Sequence, residues 1–308
     1  MISIVVPIYN EEETIRELHR RMVQAMAGQT DSYELVFVDD GSTDNTREIM
    51  KTLRPLKAVF LQKNYGETPA LEIGVQEAEG DIIVFSDADL QDDPAEIPKM
   101  LEKIGEGYDV VVGWRKNRKD HWTRRLFSYF ANHVLNCIAG MDIHDFGCGL
   151  KAYKSVFIKD FKIFGYAQPF LPAVAKERGA KIYEMEVAHS PRQSGSSKIK
   201  LSHIIKGGFD VLSVAFFIKY FFKPLRFFGG WGAVSVLLSI LVFATAIALR
   251  LLGILHFTET PLPVVGSLFA SLGILLFMMG LLAEILLRTY YLSTNRSPYI
   301  IKEIKKNE

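Results

Sequence analysis

The residues with the clearest chemical signature are acidic side chains that follow three apolar runs. MISIVVPI leads into Tyr9-Asn10-Glu11, ELVFV into Asp39-Asp40-Gly41-Ser42, and IIVFS into Asp87-Ala88-Asp89-Leu90-Gln91-Asp92-Asp93. Carboxylates gathered at neighbouring strand ends repel one another, and a divalent cation or sugar hydroxyls relieve that repulsion. Asp87-Ala88-Asp89 suits a hard cation. One carboxylate of the triplet can bind metal while the other works nearby. Magnesium or manganese favours one or two carboxylates completed by substrate phosphates. Alone, an Asp-x-Asp triplet reads as a solvated turn. Its place behind a buried strand, with two acidic loops upstream, gives it weight.

Those loops need a scaffold, and residues 1–115 supply one. Apolar strand candidates are Ile2–Ile8, Glu34–Val38, Ala58–Leu61, Ile82–Ser86 and Val110–Gly113. Helical patterns fill the gaps at Glu11–Ala27, Thr43–Leu53, Thr68–Glu79 and Pro94–Ile104. Short β-rich runs alternating with helices predict an α/β fold with a mainly parallel, Rossmann-like sheet. Ligands of such sheets bind at the carboxyl ends of the strands.

The overall charge hides an asymmetry. Lys plus Arg is 36 and Asp plus Glu is 35. Residues 1–100 hold 20 acidic and 9 basic residues, a net −11, and the rest holds 15 and 27, a net +12. An acidic functional region and a basic surface facing an anionic partner fit this split. With 49% hydrophobic and 23% charged residues, the chain is not disordered. No nucleic-acid partner is expected. Cys137 and Cys148 form no disulfide framework or zinc pair, and each reads as a small buried hydrophobe.

Two stretches are membrane spans by length. Trp231–Leu249 has nineteen uncharged residues and Thr260–Ala283 has twenty-four, against the roughly 20 needed to cross the hydrocarbon core. MISIVVPIYN lacks the basic start and long apolar run of a signal peptide and reads as a strand. Lys219, Lys223 and Arg226 precede the first span, and Arg288, Arg296 and Lys302 follow the second. The loop HFTETPLP has no Lys or Arg, and only Arg250 sits near the outer side. The positive-inside rule therefore puts both termini in the cytoplasm and the chain, as a two-span protein, in the inner (plasma) membrane. Trp122–Gly140 and residues 201–223 read as basic amphipathic helices at the interface. The expected divisions are a catalytic domain over 1–200, with its interfacial helix near 122–140, juxtamembrane helices over 201–228, two transmembrane helices over 229–290 and a cytoplasmic tail over 291–308. Glu284 and Arg288 suit an i,i+4 pair at the end of the second span.

Other motifs fall away. Gly147-Cys148-Gly149-Leu150-Lys151-Ala152 fits GxGxx(G/A), but it lies far from the first strand–helix unit where a dinucleotide motif belongs. No P-loop or HExxH occurs, and His144 and His189 read as structural singletons.

VVPIYNEEE, VDDGSTDNT, KNYGETPAL and DADLQDDP together resemble family 2 glycosyltransferases of the GT-A fold. Gly113-Trp114-Arg115, the Arg124 and Ser128 pair, Asp145-Phe146-Gly147-Cys148-Gly149 and Arg192-Gln193-Ser194-Gly195-Ser196-Ser197-Lys198 narrow the resemblance to polyprenyl-phosphate glycosyltransferases. That group includes dolichol-phosphate mannose synthases and bacterial undecaprenyl-phosphate sugar transferases. The resemblance implies that Pro7, Tyr9, Glu11, Asp39 and Asp40 hold the nucleoside. It implies that Asp89 and Gln91 bind Mg²⁺ or Mn²⁺, and that Asp87 contacts sugar or ribose. Arg115, Arg124, Ser128, Arg192 and Lys198 would hold phosphates of donor and acceptor. Asp145 would stand near the reaction centre, either as general base or orienting an arginine or the sugar. The resemblance also suggests a homo-oligomer.

The implied reaction is inverting transfer of one sugar from a nucleotide-diphosphate sugar, UDP-glucose as the first guess, to a polyprenyl phosphate at the cytoplasmic face. A lipid phosphate has its second pKa near 6 and is largely ionised at neutral pH, so it can attack without a general base. Two alternatives stay open: a processive polysaccharide synthase, which usually carries a QxxRW motif absent here, and a non-catalytic membrane scaffold that binds nucleotide sugars.

Overall fold

The computed structural model describes residues 1–116, 140–159, 168–188, 223–254 and 256–294, together with Asn132, Asn136, Cys137 and Tyr220. The chain divides into two compact units, one containing Met1–Ile218 and the other running from Lys219 to Pro298.

The first unit is built on β1 (Ile2–Ile8), β2 (Tyr33–Asp39), β3 (Lys57–Phe60), β4 (Ile82–Phe85), β5 (Val110–Trp114), β6 (Lys151–Lys154) and β7 (Ile182–Glu186). Their order is β3-β2-β1-β4-β6-β5-β7. Only β6 runs antiparallel to its neighbours β4 and β5; the other pairs are parallel. Two successive reversals across β6 leave β5 and β7 pointing the same way as β1 and β4. The carboxyl ends of β2, β1, β4, β5 and β7 therefore share one edge.

Both faces of the sheet are covered, which is why β1 reads as an unbroken apolar run. On one face Ile4, Val6 and Phe37 pack with Ile15, Leu18 and Met22 of α1 (Ile15–Met26) and with Met100 of α4 (Ile97–Gly105); α2 (Thr46–Thr52) adds Met50. On the other, Val5, Val38 and Phe85 pack with Leu71 and Val75 of α3 (Glu67–Glu77) and with Leu171 of α5 (Leu171–Glu177). Successive β1 residues serve opposite layers, as strand geometry requires. Helix connections run outward from β1 to β2 to β3, and then α3 returns the chain to β4 on the other side of β1. That reversal opens a crevice between the carboxyl ends of β1 and β4.

The second unit is a pair of helices, α6 (Pro224–Leu251) and α7 (Leu262–Thr294). Each contains a 28-residue stretch long and apolar enough to cross a membrane, with a mean hydropathy of 2.5 and 2.3 over its most apolar 18 residues. Their outer faces leave Leu237, Ile240, Leu241, Leu268, Leu275 and Leu282 exposed, unlike helices of a soluble core. Small residues hold the seam between them. Ser235 and Ser239 donate to the Phe269 and Gly266 carbonyls, each at 2.7 Å. A Cβ on Gly232 would lie 2.8 Å from the Gly273 carbonyl oxygen, so the two backbones touch there. Glu284 and Arg288 pair at 3.5 Å as expected.

Cys148 is buried as expected, but Cys137 is exposed. The reason lies one residue earlier. Asn132 and Asn136, one helical turn apart, donate to the His144 and Ile143 carbonyls and turn toward that loop, which carries Cys137 outward. Of the helix expected over 122–140, only these residues and Gly140 are described. The juxtamembrane segment 201–222, apart from Tyr220, and the tail from 295 lie outside the described residues.

Candidate active site

A cavity of about 310 Å³ occupies the crevice at the β1/β4 reversal. Pro7, Tyr9 and Glu11 line it from β1, Asp40 from β2, Gly66 and Glu67 from the start of α3, and Asp87 and Asp89 from β4. Asn10 and Leu90, in the loops after β1 and β4, have φ of 55° and 57°. Such left-handed backbone at non-glycine residues is uncommon and concentrates at functional loops.

The β1 and β2 loops are laced together. Asn10 N–H donates to Ser42 Oγ at 2.9 Å, and Asn10 Oδ1 accepts from Thr43 N–H at 2.8 Å. Glu11 N–H donates to Thr46 Oγ1. Gly41, at φ 74°, has no room for a side chain: a Cβ there would stand 2.3 Å from the Lys63 carbonyl carbon. Asp40 receives the Tyr65 and Gly66 N–H groups at 2.7 and 2.8 Å, pinning the turn that starts α3.

Asp39 has a different place. It does not line the cavity. Its carboxylate is fully buried, accepting from Ser42 N–H at 3.1 Å and from Arg47 Nε at 2.5 Å. Arg47 also reaches the Leu61 carbonyl, so Asp39 and Arg47 brace the loop from beneath.

On the β4 side, burial raises the Asp87 carboxyl to about 8, assisted by the charges of Glu67, Asp92 and Asp89. Glu67 is raised too, by burial chiefly, with Lys151 and Gln168 opposing the change; its side chain remains reachable by solvent through the crevice. Asp89 Oδ1 accepts Gln91 N–H at 3.1 Å. Hard oxygen donors crowded until one holds its proton near neutrality are the donor set a divalent cation would satisfy. Among the described residues, no three His, Cys, Asp or Glu side chains form a ready metal cluster. A magnesium-type site completed by water and phosphate does not need three.

Two residues here have no role assigned from the sequence, and both lie inside the GxGxx(G/A) segment. Gly149 lies against Asp87, and a Cβ on it would be 2.2 Å from the Asp87 carboxyl carbon. Lys151, on β6 opposite Phe85, is buried and donates to the Phe146 carbonyl at 2.8 Å. Burial lowers its pKa to about 8 against the opposing influence of Cys148, Asp145 and Asp87. The signal was a lysine in a strand otherwise suited to the core; the β4–β6 pairing that brings it here is long-range.

Arg115 follows β5 and is 8% exposed. Its Nε and Nη2 donate to Asp145 Oδ2 and Oδ1 at 2.8 and 3.1 Å. Burial acts to lower its pKa, but the Asp145 carboxylate outweighs burial and raises it, so the guanidinium is permanently charged. Its Nη1 has no protein partner among the described residues. The Cys148 thiol is pushed far up by burial and by Asp92, which makes it inert. Arg124, Ser128, Arg192 and Lys198 lie outside the described residues.

The sequence profile of glycosyl transferase family 2 matches residues 3–162. The chain belongs to glycosyltransferase family 2. The dodecaprenyl-phosphate galacturonate synthase of Rhizobium johnstonii is 37% identical over 98% of this chain and 92% of its own length. The undecaprenyl-phosphate 4-deoxy-4-formamido-L-arabinose transferase of Proteus mirabilis is 32% identical over 98% and 93%. This glycosyltransferase shares its fold with glucosyl-3-phosphoglycerate synthase from Mycobacterium tuberculosis. The structure of that enzyme with Mn²⁺ and UDP-glucose superposes with a TM-score of 0.55 at 21% identity, over 70% of this chain and 78% of that one. The structure with Mg²⁺ and UDP gives 0.57 at 20% identity, over 71% and 79%.

Proposed function

We propose that this glycosyltransferase moves one sugar from a nucleotide-diphosphate donor to a polyprenyl phosphate at the cytoplasmic face of the membrane, with inversion. The observation that carries this reading is the charge order along one sheet edge. Carboxylates occupy the ends of β2, β1 and β4, and a buried arginine whose Nη1 meets no partner among the described residues follows β5.

Pro7, Tyr9, Glu11 and Asp40 hold the nucleoside, and Asp40 does so while fixing the turn at Gly66. Asp89 and Gln91 would hold Mg²⁺ or Mn²⁺, with Asp87 beside them toward the sugar. When bound, the cation neutralises charge on the departing diphosphate. Arg115 presents Nη1 to the acceptor phosphate, and Asp145 orients that arginine. Arg124, Ser128, Arg192 and Lys198 add to phosphate binding. A lipid-phosphate oxygen attacks the anomeric carbon, forming the new C–O bond as the bond to the β-phosphate oxygen breaks. The donor departs as nucleoside diphosphate and the lipid as a sugar phosphodiester. Helices α6 and α7 anchor the chain beside its lipid substrate.

For the sugar, the relatives' names favour galacturonic acid or 4-deoxy-4-formamido-L-arabinose over glucose. The test is purified protein with Mn²⁺, undecaprenyl phosphate and, in turn, the UDP derivatives of these three sugars. Labelled lipid with one donor is expected, and no transfer from any common nucleotide sugar would overturn the proposal.

A further inference from the structure

We propose that Glu184 is a positioning residue for the acceptor phosphate, acting through Asp145 and Arg115; this rests on the reading of Arg115 given above. Glu184 lies on β7, opposite Val112 of β5, at the rim of the sheet. Its side chain is 11% exposed, and among the described residues its side-chain hydrogen bonds go to the loop that carries Asp145. Oε1 accepts the His144 N–H at 2.7 Å and the Asp145 N–H at 3.1 Å, while Oε2 meets His144 Nδ1 at 2.7 Å. Trp114, next to Arg115, stacks on the His144 ring with centroids 4.3 Å apart and planes 20° from parallel.

The loop is thus held from both strands that flank it. Glu184 grips its backbone, and Trp114 covers its imidazole. The output of the grip is the Asp145 carboxylate, which fixes Arg115 through two parallel bonds and so sets where Nη1 points. A bidentate arginine–carboxylate pair transmits orientation as well as charge. Glu184 touches no reacting atom, so its contribution is to aim Arg115, and its loss should register in acceptor binding and leave donor binding alone.

The experiment measures separate KM values for undecaprenyl phosphate and for the active nucleotide sugar in Glu184→Ala, Glu184→Asp and Glu184→Gln, with thermal melts alongside. Loss of the grip removes hydrogen bonds to a charged acceptor, so Glu184→Ala should raise the acceptor KM by about tenfold, and donor KM should stay within about twofold. Glu184→Asp, one methylene short and gentler on folding, should do the same. Glu184→Gln should restore near-normal acceptor KM, because its amide oxygen accepts the same two N–H groups. A wild-type acceptor KM in folded Glu184→Ala or Glu184→Asp overturns the proposal. So does a Glu184→Gln variant as impaired as Glu184→Ala, or a loss that falls on the donor. Arg115→Lys separates the two levels. An acceptor KM unchanged in Arg115→Lys removes the reading of Arg115 itself; one raised there but normal in the Glu184 variants removes only the role of Glu184.

Discussion

Replacing Gly149 with alanine adds one methyl group where the structure has no space. The new Cβ would lie 2.2 Å from Asp87 Cγ and Oδ2 and 2.4 Å from Oδ1, whereas ordinary contact begins at 3.4 Å. Relief requires Asp87 or the β6 approach to shift by about 1.2 Å, the difference between those distances. The cost to folding should be that of modest overpacking, about 1–3 kcal/mol. Turnover should suffer more. A displacement of about 1 Å at a reacting centre costs roughly 100-fold, because alignment of the donor is lost even when binding persists. The assay is transfer of labelled sugar to undecaprenyl phosphate at saturating substrates, with a melt to confirm folding. Gly105→Ala is the control: a Cβ there meets nothing within 4 Å, so transfer should be unaffected. Folded Gly149→Ala protein with wild-type kcat would refute the claim that Asp87 must stand where Gly149 lets it.

Three further outcomes are expected. Asp87 holds its proton up to about 8 in the folded, metal-free protein against 3.8 for the ordinary carboxyl, so metal-free stability should fall as pH rises through that window. Mn²⁺ or Mg²⁺ held at the neighbouring Asp89 would favour the ionised form of Asp87, so the rise in melting temperature on adding metal should be larger at pH 8 than at pH 5; equal shifts would count against a metal at these carboxylates. Asp40→Ala releases the Tyr65 and Gly66 N–H groups and should weaken UDP binding by about tenfold or more in calorimetry, since bonds to a charged group contribute about 1.5–3 kcal/mol. Gly232→Val drives side-chain atoms into the Gly273 carbonyl and should lower the melting temperature of the detergent-solubilised protein, while Gly230→Ala, with nothing within 4 Å, should not.

The strand ends were legible in the sequence because each is a local pattern. β1, β2 and β4 are apolar runs followed at once by acidic or amide residues, and parallel βα order puts such ends on one edge. Reading which carboxylate faces the crevice was harder. Asp39 and Asp40 are adjacent, and alternation along an extended chain guarantees that they point apart. The strand's last residue, Asp39, went into the sheet to meet Arg47, and Asp40 went to the cavity. Nothing in VDDGS says which does which, because that depends on where α2 brings its arginine.

The far side of the site depended on pairings of long sequence separation. β6 enters antiparallel between β4 and β5, about 65 residues after the strand it pairs with, and only that insertion sets Gly149 against Asp87 and Lys151 beneath the acidic group. A four-residue strand, KAYK, with two lysines carries no local pattern strong enough to announce it. The same holds for β7, whose IYEME puts Glu184 and Glu186 on one face, the first bonded to the Asp145 loop and the second to Lys116. The charge split between the first hundred residues and the rest has a physical cause at this edge. Acidic loops follow β1, β2 and β4, early in the chain, while the cations that answer them arrive with β5 and β6. In the proposed reaction, opposite charges must sit close for a diphosphate to leave and a phosphate to attack at one carbon. The fold achieves this by returning a late strand to the middle of an early sheet, which makes β6 a determinant of the reaction as much as of the fold.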